Sequence, residues 1–478
     1  MLLYNSLSGR KEEFIPNEEG KVKLYTCGPT VYDYSHIGNF RSYVMEDILD
    51  KSLRYLGYDV IRAMNITDVG HLQSDADEGE DKMLIGAARE HKSVLDIAKF
   101  YTEAFKRDCG RLHLRWPEIV VPATQCIDVY IEIISKLMDT GYAYFSGGNV
   151  YFDTSKLDNY NVFSSQAAND MIVGARNDVT EDANKRNAQD FVLWFTKSKF
   201  QNQALKWDSP WGVGYPGWHI ECSGINYKYL GEYLDIHCGG VDNKFPHHTN
   251  EIAQSESFLG HKWCNYWFHV AHLNLKGVKM GKSKGNIITL DKLEEMGYSP
   301  EMYKFLCLQS HYRNNLVFSE ETMETTKKAY LALTKKINSL NPEEGDLNQE
   351  AITKYQDNFK ECLANDLNTS SALTVLMDVV KSKENDATKA FLLRDFDQVF
   401  GLDLDKYLVK ENTKDNQDEE LVKYIELKIK ERILAKKQKD YKLADEIRNE
   451  LLENGITLID TKDGTEYKIE EKNVLKRK

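Results

Sequence analysis

The order strand, glycine-broken loop, helix, strand near the start of the chain constrains the fold more than any other feature. Lys21–Thr26 (KVKLYT) alternates as a strand, and Cys27-Gly28-Pro29-Thr30 breaks it. From Asn39 the apolar positions Val44, Ile48, Leu49, Leu53 and Leu56 recur near a 3.6-residue period, with Gly57 where a helix C-terminus expects it. Asp59–Ile66 (DVIRAMNI) returns as a second strand. This β-α-β unit predicts an α/β nucleotide-binding core on a parallel sheet. Its loop-to-helix junction suits an anion, because unpaired N–H groups and the helix dipole both favour phosphate there.

Composition narrows the class without touching the chemistry. The 478 residues, 41% hydrophobic and 29% charged, predict about three domains and an ordinary globular chain. No apolar run approaches the roughly 18–20 residues that span a bilayer, and MLLYNSLSGRKEEF lacks the apolar stretch of a signal peptide. Eight scattered cysteines with no C-x-x-C fit reduced thiols in a cytoplasm. A net charge of −13 argues against indiscriminate coating of nucleic acid, so any such contact must come from local basic patches.

Further along, residues 70–82 read as a polar, acidic surface loop, and helical segments run to about Leu112. The stretch 117–205 reads as an insertion between two halves of the core, with a helix over Ala123–Thr140 and a strand at Asn149–Phe152. The second half, 206–300, carries strands at Tyr233–His237 and Tyr266–Leu273 and a helix from His247. Two helical patterns near 350–364 and 369–382 suggest a bundle. A linker over 410–420 leads to a basic amphipathic helix and strands near Thr457–Asp460 and Glu466–Ile469.

Four constellations carry candidate chemistry. Ser35-His36-Ile37-Gly38-Asn39 places a histidine where helix N–H groups meet a phosphate, though an ordinary loop histidine fits as well. Lys279-Met280-Gly281-Lys282-Ser283-Lys284-Gly285-Asn286 is a cationic loop able to stabilise charge on transferring phosphate oxygens, or a solvated basic turn. Cys27, Cys222, and His247 with Glu251 four residues on would suit tetrahedral zinc; buried structural cysteines explain the same residues. Lys423–Arg448 holds nine basic against five acidic residues with Tyr441 among them, a surface for unpaired bases or a solvated face.

The first two constellations resemble the paired signatures of class I aminoacyl-tRNA synthetases. Thr26-Cys27-Gly28-Pro29-Thr30-Val31-Tyr32, Asn65-Ile66-Thr67-Asp68, Pro216-Gly217-Trp218-His219-Ile220-Glu221-Cys222 and Phe245-Pro246-His247-His248-x-x-Glu251 are similar to the cysteinyl branch, over nearly the whole chain. The resemblance implies a Rossmann-type core with a connective insertion, a helical bundle and a small mixed α/β C-terminal domain. It divides the chain into 1–116 and 206–300 as core halves, 117–205 as insertion, 301–338 as a junction contacting the acceptor stem, 339–409 as bundle and 410–478 as anticodon-binding domain. It implies ATP-dependent activation of L-cysteine and transfer to the 3′ end of tRNA(Cys) by a cytoplasmic monomer.

The same resemblance implies one zinc on Cys27, Cys222, His247 and Glu251, and a cysteine pocket including Thr67, Trp218 and His237. It places His36, Asn39, Lys279 and Lys282 on ATP, with magnesium on the phosphates, and Lys436, Tyr441, Asp445, Arg448 and Asp460 on the anticodon. Gly281 and Cys238 depart from the family pattern, the first removing a hydroxyl, the second an extra thiol near the zinc or a small buried residue. A ligase joining cysteine to an aminosugar-inositol and a catalytically inactive RNA-binding paralogue are the alternatives. The basic C-terminal helix and intact signatures favour the synthetase.

Overall fold

The computed structural model describes residues 1–69, 93–163, 182–197, 205–275, 278–279, 287–409, 424–425, 427–436, 440–453, 456–461 and 464–469. Two compact units divide the chain, Met1–Leu408 and Val409–Lys478. The first begins with an antiparallel hairpin, β1 (Leu2–Asn5) and β2 (Arg10–Glu13). The expected β-α-β unit follows as β3 (Lys21–Thr26), α1 (Ile37–Tyr55) and β4 (Asp59–Ile66). Gly57 after α1 has φ +97°, a conformation that glycine adopts at no steric cost.

After α2 (Val94–Arg111) comes β5 (Ile119–Pro122), which pairs in parallel with β4. These four residues, read from sequence as the start of the insertion, are thus the edge strand of the core sheet. The helix predicted over Ala123–Thr140 is a 3-10 turn, Ala123–Cys126, and then α3 (Ile127–Asp139). Asp68 takes the Thr124 N–H at 3.0 Å and its hydroxyl at 2.7 Å, drawing that first turn toward β4. A four-stranded antiparallel sheet, β6 (Ala143–Ser146), β7 (Asn149–Phe152), β8 (Phe191–Phe195) and β9 (Tyr215–Pro216), lies between the two halves in sequence.

The second half supplies α4 (Trp218–Leu230), β10 (Leu234–Gly240), α5 (His247–Leu259) and β11 (Cys264–Val270). The core sheet runs β11-β10-β3-β4-β5, every neighbour parallel. From β3 the chain works outward to one edge, and from β10 to the other. The strand order therefore reverses between β3 and β10, and the crevice beyond their carboxyl ends is where such a sheet leaves room for a ligand. The strand predicted over Tyr266–Leu273 ends at Val270, and Leu273–Leu275 joins a separate small sheet with Val278–Lys279 and Leu316–Phe318. Helices Glu320–Asn338, Gln349–Ala364, Thr369–Lys381 and Asp386–Phe400 follow, the second and third close to the predicted bundle.

Helix α1 is buried on nearly every side, charged residues included. Glu46, Asp47 and Asp50 are buried, with Arg62 of β4 lying 3.9 Å from Glu46 and 3.8 Å from Asp50. Neither carboxyl oxygen of Glu46 has a hydrogen-bond partner. Burial pushes Glu46 from 4.5 up to about 7 against the pull of Arg62. A raised folded value means that the folded protein holds this proton more tightly than the unfolded chain. Its contribution is thus complete below about pH 4.5 and is lost as pH rises through about 7, a change on the order of 3 kcal/mol. Glu46→Gln, which cannot ionise, is expected to raise the urea midpoint at pH 8 and to leave it nearly unchanged at pH 5. Equal shifts at both pH values would contradict this.

In the second unit Ile425, Ile447, Leu451, Ile456 and Leu458 form a small core. The single basic helix predicted there restarts at Tyr441, since Asp440 accepts the Leu443 N–H at 3.1 Å as a helix cap does. The hairpin Ile456–Thr461 with Gly464–Ile469 matches the two predicted strands. Among the described residues no helix is long and apolar enough to cross a membrane.

Candidate metal and nucleotide site

Two backbone approaches that only glycine permits bring the site together. A Cβ on Gly28 would lie 1.7 Å from the Asn65 carbonyl oxygen, so the loop after β3 lies directly on the end of β4. The Asn65 side-chain oxygen accepts the Gly28 N–H at 2.7 Å and the Tyr25 hydroxyl at 3.1 Å. A Cβ on Gly217 would lie 2.1 Å from the Val192 carbonyl oxygen, so α4 starts against β8. Cys27 at the exit of β3, Cys222 on α4, and His247 and Glu251 one turn apart on α5 then converge at the strand-order reversal.

The ligand atoms of Cys27, Cys222, His247 and Glu251 all lie within 4.8 Å of one another. His247 Nε2 stands 3.5 Å from Cys222 Sγ and 2.9 Å from Glu251 Oε1. Tetrahedral zinc, with bonds of about 2.3 Å to sulfur and about 2.0 Å to nitrogen, separates such ligand atoms by about 3.5 Å. Glu251 Oε1 is buried without a hydrogen bond, whereas Oε2 lies 2.8 Å from His237 Nε2. Two sulfurs, a nitrogen and an orphaned carboxylate oxygen fit a divalent cation. A second grouping, Cys27, His237, His248 and Glu251, is equally compact, with Cys27 Sγ 3.4 Å from His248 Nε2.

The electrostatics suit the same ligand set. Burial opposes ionisation of Cys222, but hydrogen bonds from Cys27 and His247 outweigh it and lower the thiol to about 6. The shared hydrogen bond with Cys222, and then burial, push Cys27 well up. Burial disfavours a charged His247, yet Glu251 and Cys222 raise it to about 10. Glu251 likewise overcomes burial through His237 and His247 and falls to about 2. Binding a cation displaces the protons that such a cluster holds on its thiol and imidazole.

Of the implied pocket residues, Trp218 and His237 touch this cluster and Thr67 is tied to Glu221, the neighbour of Cys222. Trp218 stacks on the His247 ring with centroids 4.1 Å apart, and His237 reaches Glu251. Thr67 Oγ1 donates to Glu221 Oε2 at 2.8 Å and accepts from Asn65 Nδ2 at 3.0 Å. Cys238 is fully buried in the core beside α1 and belongs to neither metal-ligand set among the described residues. Successive strand residues face opposite sides of a sheet, so His237 faces the cluster and Cys238 the other side. Sequence reasoning missed Glu221 and His219, although both lie within one helical turn of Cys222.

At the head of α1, His36 Nδ1 accepts the Asn39 N–H and Asn39 Oδ1 accepts the His36 N–H, each at 3.2 Å. The first signature is thus folded as a reciprocal cap at the N-terminus of a buried helix. The Ile37 N–H bonds to the Ile288 carbonyl at 2.8 Å, joining α1 to the segment beyond the lysine loop. Lys279 is the last residue of Val278–Lys279, paired with Asn274, while Gly281, Lys282 and the 70–82 segment lie outside the described residues. In the second unit Tyr441, Asp445 and Arg448 lie on one exposed helix face, Lys436 is exposed on the preceding helix, and Asp460 is on a strand.

The family model described as tRNA synthetases class I (C) catalytic domain matches residues 13–328. A cysteine–tRNA ligase of Treponema denticola is 46% identical, covering 98% of this chain and 99% of its own. One from Borreliella burgdorferi is 43% identical with the same coverage, and one from Treponema pallidum 38%. A Mycobacterium tuberculosis methionyl-tRNA synthetase solved with methionyl-adenylate superposes with a TM-score of 0.56 at 14% identity, covering 81% of this chain and 93% of that one.

Proposed function

The chain belongs to the cysteine–tRNA ligase family of class I synthetases, and on that premise we propose how its residues divide the work. The enzyme joins cysteine to tRNA. The alternatives, an aminosugar-inositol ligase and an inactive paralogue, are disfavoured by its match to cysteine–tRNA ligases over 98% of its length. The observation that carries the assignment of roles is the convergence of Cys27, Cys222, His247 and Glu251 at the carboxyl ends of β3 and β10.

Cysteine binds with its side chain toward that cluster, between Thr67, Trp218 and His237. Zinc, when bound there, supplies a Lewis acid that takes a thiolate readily and an alcohol poorly, which separates cysteine from serine where pocket shape separates them badly. His237 holds Glu251 Oε2 at 2.8 Å, so Glu251 would be the most weakly committed of the four residues that would hold the metal. The substrate carboxylate then attacks the α-phosphorus of magnesium-bound ATP and pyrophosphate leaves; an ionised carboxylate needs no general base. His36, its Nδ1 occupied by the Asn39 N–H, presents its Nε2 edge to phosphate oxygens. Lys279 and Lys282 close over the pyrophosphate as charge builds.

A terminal ribose hydroxyl of tRNA next attacks the adenylate carbonyl and AMP leaves. The segment after Ile119–Pro122, through the four-stranded sheet that ends at Tyr215–Pro216, serves as the connective insertion between the two core halves, and 301–338 contact the acceptor stem before the 339–409 bundle. In the 410–478 domain Lys436, Tyr441, Asp445, Arg448 and Asp460 contact the anticodon, with Tyr441 stacking on a base. A cytoplasmic monomer completes the proposal.

Purified protein with ATP, magnesium and total tRNA is expected to charge labelled cysteine and not serine, and to support cysteine-dependent pyrophosphate exchange without tRNA. Comparable charging of serine would remove the selecting role of the metal cluster.

A further inference from the structure

His219 touches the metal cluster from outside it, and we infer that it is the positioning residue that holds His247 with Nε2 toward the metal. This rests on the assignment of a metal to Cys27, Cys222, His247 and Glu251. His219 is 1% exposed on α4, and its Nδ1 lies 2.9 Å from Nδ1 of His247. Two ring nitrogens at that distance share one hydrogen, one donating and the other accepting. His247 Nε2 faces Cys222 Sγ at 3.5 Å and Glu251 Oε1 at 2.9 Å. A nitrogen that ligates a cation must present its lone pair, so the His247 hydrogen sits on Nδ1 and His219 Nδ1 accepts it.

Trp218 does not make this choice by itself. Its stack on His247, at an interplanar angle of 28°, fixes the plane of the ring and is nearly indifferent to a half-turn of the ring about its Cβ–Cγ bond. The half-turn would put Cε1 where Nε2 stands and Cδ2 where Nδ1 stands. Carbon neither ligates nor accepts a hydrogen bond, so the contact with His219 selects the productive orientation. His219 is itself held from two other elements. The Phe191 ring of β8 meets it edge-on at 5.7 Å, and the Gln254 amide of α5 donates to its carbonyl.

An imidazole that accepts at Nδ1 is uncharged, and this has a chemical consequence. Ligating histidines commonly donate to carboxylates or carbonyls, which raise the basicity of the ligand. With two thiolates and Glu251, the ligands already carry three negative charges. A neutral acceptor adds none and leaves the cation receptive to the anionic sulfur of the substrate.

The test compares full-length wild type, His219→Phe and His219→Gln by zinc competition against a chromogenic chelator and by visible absorption of the cobalt(II)-loaded proteins. Phenylalanine keeps the ring contact with Phe191 and removes the acceptor; glutamine restores one. His219→Phe is expected to bind zinc roughly 10–100-fold more weakly with altered cobalt bands, and His219→Gln to recover most of the loss. If circular dichroism shows the Phe variant unfolded, His219→Leu takes its place with the same expectation. Wild-type zinc affinity and an unchanged cobalt spectrum in the folded Phe or Leu variant would overturn the inference and leave the metal assignment standing. A wild-type protein that takes up no zinc would overturn the assignment itself.

Discussion

Cys222→Ser protein is expected to fold, to contain no stoichiometric zinc after dialysis, and to lose cysteine-dependent pyrophosphate exchange by at least about a thousandfold. The size follows from removing several kilocalories per mole of metal–thiolate interaction at a site that must bind both ligand and substrate sulfur. Serine is smaller than cysteine and retains a polar atom, so folding is expected to survive at this 1% exposed position. Its hydroxyl does not ionise near neutral pH and is a poor zinc ligand. His247 and Glu251 would then pair with each other, across the 2.9 Å that already separates them. Metal analysis, circular dichroism and exchange on one preparation decide the matter. Exchange that persists in zinc-free Cys222→Ser protein would mean that cysteine is recognised without the metal.

The largest loss of stability is expected from Asp366→Ala. Asp366 is fully buried at φ +59°, just beyond the helix Gln349–Ala364. Its Oδ1 accepts the Tyr312 hydroxyl at 2.6 Å and the Tyr4 N–H at 2.9 Å, while Arg313 reaches Oδ2 at 2.8 Å. Arg313 also lies 4.4 Å over the Tyr4 ring. One carboxylate therefore ties β1 and the segment before Leu316–Phe318 to the helical bundle. Alanine removes the ion pair, leaves the Tyr312 hydroxyl and Tyr4 N–H unpaired, and tolerates the left-handed conformation less well than aspartate does. Each buried donor left unpaired costs about 1–3 kcal/mol, and left-handed alanine adds up to roughly 1 kcal/mol, while the partly exposed Arg313 regains water. Asp366→Asn, which tolerates the backbone and keeps an acceptor, is expected to lose less than half as much. Urea midpoints followed by tryptophan fluorescence rank the two; equal losses would show that the charge is immaterial.

What is legible in the sequence is what short-range chemistry determines. Lys21–Thr26 and Asp59–Ile66 are legible because alternation and flanking glycines are local. So is the pairing of His247 with Glu251, four apart on one helix face, whereas the reciprocal cap of His36 with Asn39 emerged only in the structure. Ile119–Pro122 is too short to declare itself, and only its ladder with Ala63–Ile66 makes it a strand. The Asp440 cap that restarts the C-terminal helix lies within a run of charges whose net sign hides it.

The motifs therefore determined which side chains were available, and resemblance supplied their roles. The fold decided which of them meet. Cys27 and Cys222 come from different halves of the core and approach only because β3 pairs with β10 and Gly217 lets α4 start against β8. The same pairing turns His237 toward the cluster and Cys238 away from it, and the packing of α4 against α5 brings His219 within hydrogen-bond distance of His247. Periodicity and spacing record interactions within a turn or a strand. A contact between residues distant in the chain leaves no such trace, because it is made only when several elements pack at once.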